Sequence, residues 1–304
     1  MDRNGKIHAL LATSRVANVP SVICNVWLGM AAALFYGPSA ADRTWLIFAT
    51  LATAGALLYI GGNFFNDWKD RGWDAQHRPE RALPRGLFPA RAYFLAAVTC
   101  AAAGLAQAAS VSMASGLVAA AIIVLIVIYT LAHKKSAWAV IPMGLCRALL
   151  PVMGCVAFFP YLDRVWPLAT ALLCYIAGLS LSARHESMAE PPRSIALMAR
   201  ALLLGTAVLV AVAHSRIHLH PLAAVAGALP YLLWTNACLR WWRKPVPRLV
   251  SGLLAGIPLV DAMFLLPLGF LTVPIDFGFG VACLAIPPLA FLAALLLQRV
   301  APAT

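Results

Sequence analysis

Ten stretches of the chain are apolar over about the 20 residues that an α-helix needs to cross a bilayer. They run roughly over 9–37, 44–66, 90–109, 113–132, 137–158, 166–183, 194–213, 220–239, 248–271 and 277–298. Nothing else in the sequence constrains the fold as much. In hydrocarbon every backbone N–H and C=O must find a partner within the spanning segment, so such runs fold as helices. Only 11% of the 304 residues are charged, against about 25% in a soluble domain, which leaves too little polar sequence for a second unit. The expected fold is all-α, a polytopic transmembrane bundle of nine to ten helices forming one domain over residues 1–304. The 166–183 stretch is short for a full span and is expected to lie tilted or partly interfacial. The first stretch follows a basic lead, as in a signal peptide, but it is long and further spans follow, so it reads as a retained helix.

The net charge of +12 raises nucleic acid as a partner, and its distribution argues against one. On a ten-span reading, Arg3, Lys6, Lys69, Arg71, Arg78, Arg81, Arg85, Arg91, Lys134, Lys135, Arg184, Arg193, Arg240, Arg243, Lys244, Arg248 and Arg299 share one side. Only Arg43, Arg164 and Arg216 fall on the other, and Arg15, Arg147 and Arg200 fall within spans. This asymmetry is the positive-inside pattern, and it places both termini and the charged loops of a cell inner-membrane protein in the cytoplasm. The seven cysteines all lie in apolar stretches without a CxxC pair, so they read as small hydrophobes rather than a disulfide framework or zinc site.

At the end of the second stretch the composition changes abruptly. Asn63, Asn66, Asp67, Asp70 and Asp74 follow one another at offsets of 3, 4, 7 and 11 from the first, which places them on one face of a helix. A row of hard oxygen ligands suits Mg²⁺, which in turn holds phosphates. Diphosphate is a poor leaving group until its charge is neutralised, and carboxylate-held Mg²⁺ assisted by Arg and Lys supplies that neutralisation. The loop that follows, His77-Arg78-Pro79-Glu80-Arg81-Ala82-Leu83-Pro84-Arg85-Gly86, has two prolines to stiffen it and arginines spaced to wrap phosphate oxygens.

The segment Asn66-Asp67-x-x-Asp70-x-x-x-Asp74, followed by Arg78-Pro79-x-Arg81-x-Leu83-Pro84-x-Gly86, resembles the first signature of the UbiA-type intramembrane prenyltransferases, with Ala82 where the family often has proline. Tyr129-Thr130-x-x-His133-Lys134 is similar to the family's Y-S-x-x-L-K element. The resemblance covers residues 15 to about 190 in order. It implies helices around a central cavity open toward the cytoplasm and the membrane. It also implies Mg²⁺ dependence and transfer of a prenyl group from an isoprenyl diphosphate to a lipophilic, usually aromatic, acceptor. The family's second motif is D-x-x-x-D after the sixth helix; here Glu186-x-x-x-Glu190 occupies the place. The spacing survives, and Glu also binds Mg²⁺. Gly144-Leu-Cys-Arg147-Ala-Leu-Leu-Pro151, the Glu pair and Leu-Val-Asp261-Ala resemble the EboC-like branch of the superfamily.

The expected metal ligands are Asn66, Asp67, Asp70 and Asp74, with Glu186 and Glu190 as a second set. Catalytic roles are expected for Asp67, Asp70, Asp74 and Arg147, the last because an intramembrane arginine is functional by default. Substrate contacts are expected from Asn63, Asn66, Arg78, Arg81, Tyr129 and Lys134, and from Asn18 and Asn25, which share a face of the first helix. Asp261 is expected to pair with Arg147 or Arg200, or to remain a protonated structural acid. Lone histidines such as His133 read as solvated, and Trp68, Trp73, Trp241 and Trp242 as markers of the membrane interface. The partners are then the isoprenyl diphosphate, its acceptor and membrane lipids, with no nucleic acid. Two other readings stay open: a terpene cyclase on the same scaffold, and a non-catalytic lipid carrier or scaffold, which the altered second motif favours.

Overall fold

The computed structural model describes residues 3–36, 43–134, 136–158, 162–184, 193–217, 220–241 and 246–301. The described residues are helical almost throughout: α1 Arg3–Ser14, α2 Val19–Tyr36, α3 Thr44–His77, α4 Ala90–Val111, α5 Met113–Ala132, α6 Val140–Cys155, α7 Leu162–Arg184, α8 Arg193–Ser215, α9 Pro221–Trp241, α10 Val246–Ala255, α11 Ile257–Thr272 and α12 Phe277–Val300. Among them are nine helical segments long and apolar enough to cross a membrane, with α10 and α11 counted as one. The protein is an integral membrane protein.

Burial sorts the helices into a centre and a rim. The most apolar window of Val246–Thr272 is 83% buried, whereas that of Ala90–Val111 is 17% buried. The rim helices turn large apolar side chains outward, among them Leu95, Leu117, Val208, Leu222 and Leu296. In water this would be a wide apolar surface; in a bilayer the lipid is its solvent.

The short segment is not the expected one. Residues 162–184 form a 23-residue helix with window enough to span, while α6 has only 16 residues. Yet α6 runs the depth of its neighbour α5. Val140 at its start and Lys134 after the end of α5 line the same cavity, and the Met153 carbonyl near its end accepts a hydrogen bond from Ser115 at the start of α5.

Two breaks shape the centre. The first apolar stretch is interrupted at Arg15, whose backbone is left-handed (φ 47°, ψ 49°) between α1 and a single 3-10 turn, Val16–Asn18. Gly256 separates α10 from α11, and Pro258 at the start of α11 lacks an N–H. Two carbonyls at this break, which share the Gly256 N–H, each take a side-chain donor as well: Tyr175 Oη donates to Leu253 O at 2.7 Å and Trp234 Nε1 to Gly252 O at 2.8 Å. Non-helical backbone at membrane depth persists only with such partners.

α2 and α12 run antiparallel, since Trp27 meets Phe279 at the start of α12. The turn at Val16–Asn18 therefore meets the later half of α12, so the start of α2 and the close of α12 lie at the same end of the bundle.

Candidate functional site

α3 has 34 residues, about 51 Å at 1.5 Å per residue, whereas the hydrocarbon core is about 30 Å thick. Its last turns therefore outrun the apolar layer and carry the polar row. The period of the helix brings Asn63, Asn66, Asp70 and Asp74 to its inner face, where all four are buried. After His77 the chain turns back toward α4 through Arg81 N to Arg78 O and Arg85 N to Arg81 O contacts and a left-handed Gly86 (φ 66°). Ala82, Leu83 and Leu87 pack on Phe64 and Tyr93. This anchoring holds Arg81 over the carboxylates.

Arg81 Nη1 reaches Asp74 Oδ2 at 2.9 Å and Asp67 Oδ1 at 3.3 Å. On the other side, Asp70 meets Lys134 Nζ through Oδ1 and His133 Nε2 through Oδ2, both at 3.0 Å. Lys134 also lies over the ring of Trp73, 4.1 Å from its centroid. Arg15 donates to Asn63 Oδ1 at 3.0 Å, and Asn63 Nδ2 donates to the Ser14 carbonyl at 3.1 Å. The left-handed backbone at Arg15, which costs about 1–3 kcal/mol in a non-glycine residue, ends α1 where the guanidinium reaches this face.

These groups rim one cavity of about 640 Å³. Its mouth is polar, and its interior is apolar, walled by Leu58, Ile122, Ile126, Leu150, Ile176 and Ile257 among others. Of the expected site residues, Asn18, Asn63, Asn66, Asp70, Asp74, Arg78, Arg81, Tyr129, Lys134 and Arg147 line it. Asp67 stands behind Arg81 rather than on the wall. Asn25 also lies off the wall: it bonds Arg147 and Asp261 instead. Glu186 and Glu190 lie outside the described residues, between Arg184 and Arg193; Ser180 and Ala183, just before them, line the cavity.

Asn66 Oδ1 is buried without a protein partner. With the Asp70 and Asp74 carboxylates on the same wall, it gives the mouth a set of hard oxygen donors suited to a divalent cation of the Mg²⁺ type. Among the described residues no three His, Cys, Asp or Glu side chains converge on one point. Such an ion would thus take one or two carboxylates and complete its shell with water and phosphate oxygens, as Mg²⁺ does.

The model of the UbiA prenyltransferase family matches residues 25–190, more than half of the chain. The chain belongs to the UbiA prenyltransferase family. Among solved structures, a UbiA homologue from Aeropyrum pernix K1 matches with a TM-score of 0.65 at 16% identity, over 80% of this chain and 96% of that one. A digeranylgeranylglyceryl phosphate synthase matches with a TM-score of 0.52 at 17% identity, over 98% of this chain and 99% of that one. At these identities the likeness is one of fold. No curated protein matches the sequence significantly.

Against the UbiA frame, four side chains stand out that sequence reasoning passed over. His133 is not a solvated histidine: it bonds Asp70 and stacks on Tyr129. Its signal was its place in the Tyr129–Lys134 element, one residue from an expected contact. Trp73 is a cavity wall residue, and it shares the inner face with Asp70 and Asp74. Arg15 and Tyr59 complete the wall; an arginine inside an apolar stretch was the available signal for the first, and nothing marked the second. Asp261 forms no ion pair with Arg147; Asn25 stands between them, accepting from Arg147 Nη1 at 3.1 Å and donating to Asp261 Oδ2 at 2.8 Å.

Proposed function

We propose that the protein carries out the Mg²⁺-dependent transfer of an isoprenyl group from a prenyl diphosphate to a lipophilic acceptor at the membrane. The observation that carries this reading is the polarity of one cavity in a member of a prenyltransferase family. Hard oxygens and cations ring its mouth, and an apolar pocket lies behind them.

The acids and bases of the mouth neutralise one another: Arg81 holds Asp67 and Asp74, and Lys134 with His133 holds Asp70. Binding of a diphosphate invites an exchange of partners. Asn66, Asp70 and Asp74 turn to the cation, and Arg78, Arg81 and Lys134 turn to phosphate oxygens. The cation supplies charge neutralisation of the leaving diphosphate when bound. The chain's own cations share that task, and arginine forks suit phosphate. The prenyl tail lies along the apolar wall, which keeps water from the allylic cation that forms when the C–O bond ionises. Glu186 and Glu190 serve as the second set of carboxylates, supported by the cavity contacts of Ser180 and Ala183 just before them. The lysine and arginine asymmetry supports a cytoplasmic mouth, so the donor arrives from that side and the acceptor from the bilayer.

The test is a donor series, from geranyl to long polyprenyl diphosphates, offered to the purified protein with and without Mg²⁺ while diphosphate release and product mass are followed. Release that needs Mg²⁺ and falls about 100-fold or more in Asp70→Asn and Asp74→Asn is expected, the scale of losing one preorganised electrostatic contact. Release that both variants retain, or no release with any donor, overturns the reading.

A further inference from the structure

Lys134 lies just past the end of α5, and its side chain is 31% exposed. A lysine carries its charge on a flexible four-carbon stem, so a half-exposed one is free to swing into water unless something holds it. Two groups of α3 hold this one. Its Nζ is 3.0 Å from Asp70 Oδ1 and 4.1 Å from the centroid of the Trp73 ring. Asp70 and Trp73 are three residues apart in α3, which makes them neighbours on one face, and both line the cavity. Trp73 is itself 43% exposed, yet its ring is fixed. His77, one turn further on, stacks on it with centroids 4.1 Å apart and planes 5° from parallel. His77 Nδ1 also lies 3.0 Å from the Trp73 carbonyl.

The two contacts differ in what becomes of them when a ligand arrives. The Asp70 carboxylate neutralises the ammonium, and it is also a donor atom for a divalent cation. Once it turns to such a cation, Lys134 loses its ion pair and faces a like charge nearby. The indole face attracts the ammonium through the ring quadrupole. It carries no net charge, so it neither cancels the lysine's charge nor draws the cation away from Asp70. An ammonium has three N–H donors, and one resting on a ring face keeps others free for phosphate oxygens. Of the two holds, only the indole outlasts the exchange of partners. His133 needs no such support, because it stacks on Tyr129 and its Nδ1 lies 3.1 Å from the Thr130 carbonyl. Trp73 falls on an unspecified position of Asn66-Asp67-x-x-Asp70-x-x-x-Asp74, and an indole has no oxygen for a metal and one N–H donor only. Its chemistry at the mouth is that of a surface for a cation.

We infer that Trp73, steadied by His77, is a positioning residue: it keeps the Lys134 ammonium at the mouth of the cavity, in place to meet a diphosphate when Asp70 is drawn to the cation. The inference rests on the prenyl-transfer reading for the identity of the diphosphate, but the hold of Trp73 on Lys134 needs neither Mg²⁺ nor a donor.

The experiment uses the full chain in phosphatidylcholine nanodiscs, with inorganic diphosphate and geranyl diphosphate as probes, each with Mg²⁺, and calorimetric titration as the readout. Lys134→Gln is expected to weaken both probes about tenfold or more, the scale of a hydrogen bond to a charged group. Trp73→Leu is expected to weaken them about three- to tenfold, the scale of a cation on an aromatic face. Trp73→Phe restores most of that loss, since a phenyl face also attracts a cation. The decisive variant is the double one, Trp73→Leu/Lys134→Gln. If Trp73 acts through Lys134, the double variant binds no more weakly than Lys134→Gln alone. A ligand-free readout accompanies the titrations: the emission of Trp73, taken as parent minus Trp73→Phe, is expected to change when Lys134→Gln is introduced. Losses that multiply in the double variant overturn the inference, because Trp73 then acts on its own. So do a Trp73→Leu protein that binds as the parent does, a Trp73→Phe protein no better than Trp73→Leu, and Trp73 emission indifferent to Lys134. Coupled loss of inorganic diphosphate binding with no release from any prenyl donor would keep Trp73 in this role and sink the prenyl-transfer reading. Prenyl transfer that Trp73→Leu retains in full at subsaturating donor would keep that reading and sink this one.

Discussion

At Arg15 one residue both breaks a helix and presents a charge. Its left-handed backbone is disfavoured by about 1–2 kcal/mol in any residue with a Cβ. Its guanidinium reaches Asn63 at the rim of the cavity. The two contributions separate by substitution. Arg15→Ala keeps the backbone cost and removes the charge; Arg15→Gly removes both. The glycine variant should unfold later than the alanine variant by about 1 kcal/mol, as measured by thermal melting in detergent. Geranyl diphosphate binding should fall equally in the two. Equal stability would mean that the backbone at Arg15 is unstrained in solution, and unequal binding would mean that the charge is not what the donor site uses. His133 carries a related lesson about legibility. Its sequence neighbours already fit a known element, but a histidine after a helix is ordinarily solvated. Only the meeting of the ends of α3 and α5 makes it a partner of Asp70.

At the scale of the element, the crossing of α2 and α6 decides where the deep arginine sits. Gly29 approaches the backbone of Pro151, and Gly154 approaches the Val26 carbonyl, so closely that a Cβ at either would run into main-chain atoms. Small residues let helices in a membrane touch backbone to backbone. One turn toward the mouth from that contact, Asn25 and Arg147 meet at 3.1 Å. Gly29→Ala should therefore destabilise the protein by about 1–3 kcal/mol or more, the usual cost of overpacking. Gly72 is the matched control. It lies in α3, where an added Cβ would meet nothing within 4 Å, and Gly72→Ala should stabilise by about 0.5–1 kcal/mol. Comparable melting of the two variants would remove the close crossing as a determinant. The length of α3 was only partly legible: hydropathy ends its apolar run near Asn66, while the helix continues to His77. Polar residues end a span without ending a helix, because outside the bilayer the same hydrogen bonds persist.

For the whole molecule, the balance of lysine and arginine predicts that the polar mouth faces the cytoplasm. A fluorescent protein fused after Thr304 should fluoresce, and alkaline phosphatase at the same place should be inactive. Phosphatase inserted within 272–276, between α11 and α12, should be active. The opposite pattern would invert the topology and place the donor site on the far side. The packing constrains this test, since the start of α2 and the close of α12 lie at one end of the bundle; fusions that place those two helix ends on opposite sides would contradict the arrangement of α2 and α12.

The sequence by itself determined the class of fold, the existence of the spans and the face of α3 that carries the oxygen row. Those follow from hydropathy and from the 3.6-residue period, which are local properties. The partners of that row were not local. Arg81 is seven residues from Asp74, but His133 is 63 residues from Asp70, Arg15 is 48 from Asn63, and Asn25 is 236 from Asp261. Tertiary structure alone decided that Asn25 stands between Arg147 and Asp261, where the sequence left a pair with Arg147, a pair with Arg200 or a protonated acid open. The physical reason is the close crossing of α2 and α6, which places an amide where a carboxylate would have ended the arginine's search for a partner.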